Sequence, residues 1–135
     1  MNITKKKINS QKGDISIAIH YSETKTEKLA ILCPGYLDSK DYDHLMQLAE
    51  ILAERGFTVV RFDPTGTWES EGKISDYTTT QYLSDIKSVK EFMMKDKSYT
   101  FILLGGHSMG GRMSLLYAPT DHQISSVFAI MSGFK

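Results

Sequence analysis

A chain of 135 residues, 41% hydrophobic and 24% charged, has the make-up of one ordinary globular domain. Sixteen basic residues balance sixteen acidic ones, which argues against nucleic acid or an anionic membrane surface as partner. The single cysteine, Cys33, allows no intramolecular disulfide and no apolar run approaches a membrane span, so the expected location is the cytoplasm.

Along the chain, the Lys5-Lys6-Lys7 run reads as a solvated N-terminal segment, and no apolar stretch follows it as a secretory leader would require. Ile15–Ile19 alternates and predicts a half-exposed strand, with His20 closing it at the surface. Leu29–Cys33 is a continuous apolar run stopped by Pro34-Gly35, the pattern of a strand buried on both faces. Leu45, Leu48, Ala49 and Leu52 recur at helical spacing, with Ser39 or Asp41 as candidate N-cap and Gly56 where a C-terminal cap belongs. Phe57–Phe62, rich in β-branched and aromatic residues, predicts the next strand, ended by Asp63-Pro64-Thr65-Gly66. A polar loop then runs to about Asp76.

A helix is expected over Thr79–Lys95 with Tyr82, Ile86, Val89 and Met93 on one face, then a strand over Tyr99–Leu104. A short helix follows, stopped by Pro119 near Ala118, and Ile124–Met131 predicts a last apolar strand. Strands alternating with helices imply an α/β fold, a mostly parallel sheet with helices on both faces, in one domain over 1–135. Sites in such sheets form beyond the C-terminal ends of the strands. Cys33–Tyr36, Asp63-Pro64 and Gly105–Ser108 all fall on that rim.

The most chemically specific feature is Gly106-His107-Ser108-Met109-Gly110, a G-x-S-x-G pentapeptide between a buried strand and a helix. That context is a nucleophile elbow, a turn tight enough to push the serine clear of the backbone. Glycines at 106 and 110 are required because a Cβ there would strike the neighbouring strand or the turn itself. With Pro34-Gly35-Tyr36 and Asp63-Pro-Thr-Gly66-Thr-Trp-Glu-Ser70-Glu-Gly72 upstream, the chain resembles the α/β-hydrolase family over nearly its whole length, in the flavour of small esterases, acyl-glycerol lipases and serine-peptidase-like members. Pro34, Thr65 and Trp68 depart from the usual His, Arg and Gly of those loops.

The resemblance implies that Ser108 is the nucleophile and that the backbone N–H groups of Tyr36 and Met109 form the oxyanion hole. It implies acyl transfer to water from a carboxylic ester, thioester or small amide, with a small-molecule acyl substrate and no cofactor. The family's acid follows a later strand and its histidine the last one, positions expected to lie beyond Lys135, so this portion alone is expected to be inactive. None of the four histidines replaces them by pattern. His107 reads as a packed support inside the elbow, His122 as lying on the opposite rim, and His44 alone as able to approach the mouth. Asp63 is expected to support its loop and Asp121 to form a turn or cap. No metal-ligand spacing or phosphate-cradling loop is present, so no metal is expected.

Val127–Met131 would form an exposed apolar edge, so a homodimer or a complementing segment pairing there is expected. The alternative reading is a non-enzymatic, shortened paralogue serving as a binding or oligomerisation module.

Overall fold

Three elements on this chain alternate with the strands of a single sheet, and their order fixes where the rim lies. The computed structural model describes residues 2–95 and 97–131; Lys135, the expected stop, lies outside them. The strands are β1 (Asn2–Ser10), β2 (Gly13–Tyr21), β3 (Lys28–Cys33), β4 (Thr58–Phe62), β5 (Phe101–His107) and β6 (Ser126–Ile130). The helices are α1 (Asp43–Glu54), α2 (Thr79–Lys95) and α3 (Met109–Tyr117). Sheet order is β1-β2-β4-β3-β5-β6, with β4, β3, β5 and β6 parallel and β1 and β2 antiparallel. This is the expected α/β architecture.

The two faces of the central strands are covered by different helices. Ile31 and Cys33 of β3 face a core shared with Ile86 and Val89 of α2 and Met113 and Tyr117 of α3. Ala30 and Leu32 point the other way, onto Leu45, Ala49 and Ala53 of α1. Alternate side chains of one strand thus enter opposite cores, which is why Leu29–Cys33 reads as an unbroken apolar run. Each fully buried Ile or Leu contributes roughly 1.5–3 kcal/mol.

The helical expectations hold in their bounds. Thr79–Lys95 is helical throughout, with Tyr82, Ile86, Val89 and Met93 buried. Gly56 follows the end of α1 at φ +90°, a conformation that only glycine takes without strain. Pro119 sits in a 3-10 turn, Ala118–Thr120, that ends α3.

Three expectations are corrected and one is extended. The lysine run is solvated as expected, and it lies on a strand the sequence did not predict: Asn2–Ser10 pairs residue by residue with β2 and carries its lysines on the sheet edge. β2 is not half-exposed, because Ile15, Ile17 and Ile19 enter one core and Ser16, Ala18 and His20 are covered as well. Ser16 is buried, and its backbone N–H donates to Ser70 Oγ at 2.9 Å. His20 is therefore not at the surface; it is fully buried and accepts from Arg61 Nε at 2.9 Å. Neither Ser39 nor Asp41 caps α1. Tyr42 occupies the N-cap position with no side-chain cap, while Ser39 Oγ accepts from the Asp41 N–H at 3.0 Å and Asp41 turns toward Arg61.

β5 is also longer at its C-terminal end than the apolar run suggests, continuing through Gly105, Gly106 and His107. Backbone pairing to β3 and β6 carries it past the last large apolar side chain. β6 ends the sheet beside β5, with Ile130 and Met131 exposed, as the edge reading expects.

Candidate active site

At the C-terminal rim of the parallel strands, β5 passes directly into α3 with Ser108 as the single residue between them. Ser108 has φ +56° and ψ −119°, a conformation that costs a non-glycine residue on the order of 1–3 kcal/mol. Surrounding contacts hold it there. Its N–H donates to Ile130 O of β6 at 2.8 Å, and its carbonyl accepts from the Arg112 N–H at 3.1 Å to begin α3.

Close backbone approach explains the flanking glycines. A Cβ on Gly106 would collide with the Cys33 carbonyl oxygen, and one on Gly110 would collide with the same oxygen and lie 2.8 Å from Pro34 O. The end of β3 and the loop after it therefore rest against the elbow. Gly35 lies within the same contact, its Cβ position 3.3 Å from His107 O. Pro34–Tyr36 and Gly106–Gly110 are thus brought together, as the rim argument requires. The Tyr36 side chain is 67% exposed and packs on Tyr77 with ring centroids 5.8 Å apart.

Among the described residues, the non-glycine positions with positive φ are Leu37, Trp68 and Ser108, one in each rim loop. Trp68 Nε1 donates to Leu37 O at 2.8 Å, joining two of them. Tyr77 joins the rest: its hydroxyl accepts from the Leu37 N–H at 3.0 Å and donates to Met109 Sδ at 3.4 Å. Burial pushes the Tyr77 hydroxyl above the ordinary tyrosine range, so it stays protonated and able to donate. Strain collected at one rim and sustained by specific hydrogen bonds marks a functional site better than any single outlier does.

Behind this rim lies a buried ionic lattice. Lys40 and Asp63 side chains are both fully buried, Nζ to Oδ2 at 3.0 Å, and Lys40 Nζ also reaches Glu69 Oε1 at 2.6 Å and Asp41 Oδ2 at 3.2 Å. Asp63 additionally accepts from the backbone N–H groups of Lys40 at 2.8 Å and Glu69 at 3.2 Å, the loop-supporting role expected of it. Burial alone would lower the Lys40 ammonium, but the hydrogen bond to Glu69 and the charges of Asp63 and Asp41 outweigh it and hold the group above the usual lysine range. Arg61 Nη1 donates to Lys40 O and to Asp41 Oδ1, while Arg61 Nε donates to His20. Burial, aided by the Arg61 charge, pulls His20 down to about 4, so it remains a neutral acceptor near pH 7.

Asp85 of α2 anchors the next loop. It accepts from the Thr65 N–H at 2.7 Å, Thr65 Oγ1 at 2.8 Å, Gln81 Nε2 at 2.9 Å and Ser10 Oγ at 2.8 Å.

His44, His107, Asp121 and the thiol stand as follows. His44 stands beside His107, ring centroids 5.4 Å apart, and its Nε2 lies 3.4 Å from Asp38 Oδ2. Asp121 Oδ1 accepts the Gln123 N–H at 3.0 Å, the expected turn, and Asp121 also pairs with Lys90. Burial pushes the Cys33 thiol up to about 12, so it carries no thiolate at neutral pH and is not a nucleophile. A concavity beside Tyr21, Glu23, Ala53 and Gly56 lies at the opposite end of the parallel strands, away from Ser108.

Sequence reasoning missed Tyr77, Lys40 and the Arg61–His20 pair. Tyr77 is an aromatic in a polar loop, Lys40 a lone cation in another, and no local periodicity singles out either. An arginine inside the apolar run Phe57–Phe62 was the one available signal, since a charge in a strand buried on both faces must find partners.

Comparison with known proteins agrees with this geometry. The family described as serine aminopeptidase, S33, matches residues 24–133. No curated protein sequence matches the chain. The ferulic-acid-bound Est1E of Butyrivibrio proteoclasticus is similar in structure with TM-score 0.81 and 27% identity, over 89% of this chain and 49% of that one. The α/β hydrolase GrgF of Penicillium sp. superposes with TM-score 0.87 at 19% identity, over 96% of this chain and 45% of that one. A lidless α/β serine hydrolase from Xanthomonas campestris gives TM-score 0.84 at 22% identity, over 95% and 60% respectively. The chain therefore spans about half the length of these solved structures. No helix among the described residues is long and apolar enough to cross a membrane. With the elbow geometry and a family match over residues 24–133 in agreement, this chain belongs to the serine aminopeptidase S33 family of α/β hydrolases.

Proposed function

We propose that Ser108 is the nucleophile of a serine hydrolase acting on carboxylic ester, thioester or small amide bonds through an acyl-enzyme. The observation that carries this reading is the positive-φ turn that holds Ser108 alone between β5 and α3. Ser108 Oγ attacks the carbonyl carbon and gives its proton to a general base. The tetrahedral oxyanion is stabilised by the N–H groups of Met109, at the positive end of α3, and of Tyr36. Each such donor contributes roughly 3–4 kcal/mol to the transition state. Collapse of the intermediate expels the leaving group, which takes the proton back from the base, and water then repeats the sequence to release the acid.

The base and its orienting carboxylate belong, in this reading, to the part of the fold that the solved neighbours carry and this chain does not span. Sustained turnover by these residues alone is accordingly not expected. The ferulic acid held by Est1E supports a carboxylic acyl group as the transferred unit. The exposed β6 edge supports pairing with a complementing segment or a second copy.

The test is acid-quenched mass mapping of the chain after exposure to p-nitrophenyl acetate, an acyl thioester and an aminoacyl p-nitroanilide. Because oxyanion stabilisation and binding keep a residual rate without the base, the reading expects slow transfer of the acyl group to Ser108 from at least one of these, and not in Ser108→Ala. Ser108 unmodified by all three would refute it.

A further inference from the structure

The rim holds a second cluster that the acyl-transfer chemistry does not use. Asp38 lies in the loop after β3, His44 in the first turn of α1, and His107 at the end of β5. These positions are distant in sequence, yet one ligand-capable atom from each falls within 4.8 Å of the other two.

The spacing of the pair at its centre is informative. His44 Nε2 to Asp38 Oδ2 is 3.4 Å, longer than the roughly 2.7–3.2 Å of a normal N–H···O hydrogen bond. Two ligands each about 2.0–2.1 Å from a tetrahedral zinc ion are separated by about 3.3 Å, the edge of that tetrahedron. The 3.4 Å separation is close to that edge, and the full set, within 4.8 Å, has to contract a little on an ion. The two imidazole rings are tilted by 59° with centroids 5.4 Å apart, so they are not stacked face to face. His44 has a side chain 47% exposed, leaving it open to solvent and free to adjust toward His107.

We propose that Asp38, His44 and His107 form a binding site for a divalent transition-metal ion, zinc by preference. Two imidazole nitrogens with one carboxylate is a borderline-soft donor set that suits zinc over magnesium or calcium, which favour all-oxygen shells. Three protein ligands leave a fourth position for water. The bound ion clips the Gly35–Asp38 turn and the start of α1 to the residue preceding Ser108, fixing the loop that carries Tyr36 against the elbow. Regulation or rigidification of that loop follows from the position, independently of whether Ser108 is a nucleophile.

Equilibrium dialysis of the chain against zinc chloride, with a parallel thermal melt, tests the site. One zinc per chain and a higher melting temperature in zinc are expected. His44→Ala changes an exposed side chain and leaves the fold intact by circular dichroism. It should weaken zinc binding by more than roughly 100-fold, beyond the 10–100-fold that loss of an outer partner costs. Asp38→Asn should weaken it as well, while His122→Ala, an exposed histidine elsewhere, should leave it unchanged. Absence of zinc uptake would overturn the proposal and leave Asp38–His44 as a polar contact only. Uptake that survives both His44→Ala and Asp38→Asn would also overturn it.

Discussion

Replacing Lys40 by methionine probes the lattice that holds the rim loops in place. The substitution keeps most of the side chain's volume and removes its charge together with the N–H donors to Asp41, Asp63 and Glu69. Lys40 and Asp63 are both fully buried, with no solvent to screen the pair, so the loss leaves the Asp63 carboxylate inside the protein without its counter-charge, held by the backbone N–H groups of Lys40 and Glu69. Breaking a buried pair from one side typically costs about 3–5 kcal/mol. Glu69 has a side chain 58% exposed, so it rehydrates and adds little to that cost. For a domain of this size the loss corresponds to a fall in melting temperature on the order of 10–20 °C. Urea unfolding at pH 7 followed by circular dichroism measures it, with Lys40→Met/Asp63→Asn as the second variant. The double variant should recover a large share of the loss, because removing both partners no longer strands a charge. A single-variant loss below about 1 kcal/mol, or strict additivity in the double, would refute the claim that this pair holds the loops.

Three further outcomes follow from the same structure. His20 is held at about 4 in the folded chain against 6.5 when free, so below pH 6.5 the unfolded state takes up a proton that the folded state does not. Stability should then fall by up to about 1.4 kcal/mol per pH unit between pH 6.5 and about 4, roughly 3 kcal/mol in all, and His20→Gln should flatten that slope in urea titrations. Gly110→Ala would gain up to about 1 kcal/mol in an open helix, yet its Cβ meets Cys33 O and Pro34 O, so a loss of roughly 1–3 kcal/mol is expected, and a gain would contradict the packing of the elbow. The exposed β6 edge should give a light-scattering mass that rises with concentration, and a monomer across the range with a sharp melting transition would count against edge pairing.

Much of the frame was legible because each buried element repeats a simple pattern. Leu29–Cys33 and Thr79–Lys95 display their burial in the sequence, and the elbow displays its turn through two glycines whose Cβ atoms would have no room. β1 was hidden because its partner β2 supplies most of the apolar surface, leaving a lysine-rich edge that looks like a tail. β2 was misjudged because alternation normally separates a wet face from a dry one, and here Ser16 is covered and a hydrogen bond from Arg61 lets His20 be buried. The site's connections were the least legible part. Tyr77 meets Leu37 and Met109 across 40 and 32 positions of sequence, and no local pattern encodes contacts of that range. Asp38, His44 and His107 escaped for the same reason: a ligand spacing is readable only when one helix or one loop supplies it.

A fluorophosphonate ester offers the most direct test of Ser108 itself, since its phosphorus accepts an activated serine and releases fluoride without needing later hydrolysis. In the proposed reading the Tyr36 and Met109 N–H donors keep a measurable share of the rate without help from the base. Prolonged treatment followed by intact-mass and peptide analysis should give one adduct per chain, on Ser108, and none in Ser108→Ala. A folded chain that stays unlabelled, or that labels equally in the alanine variant, would contradict the account.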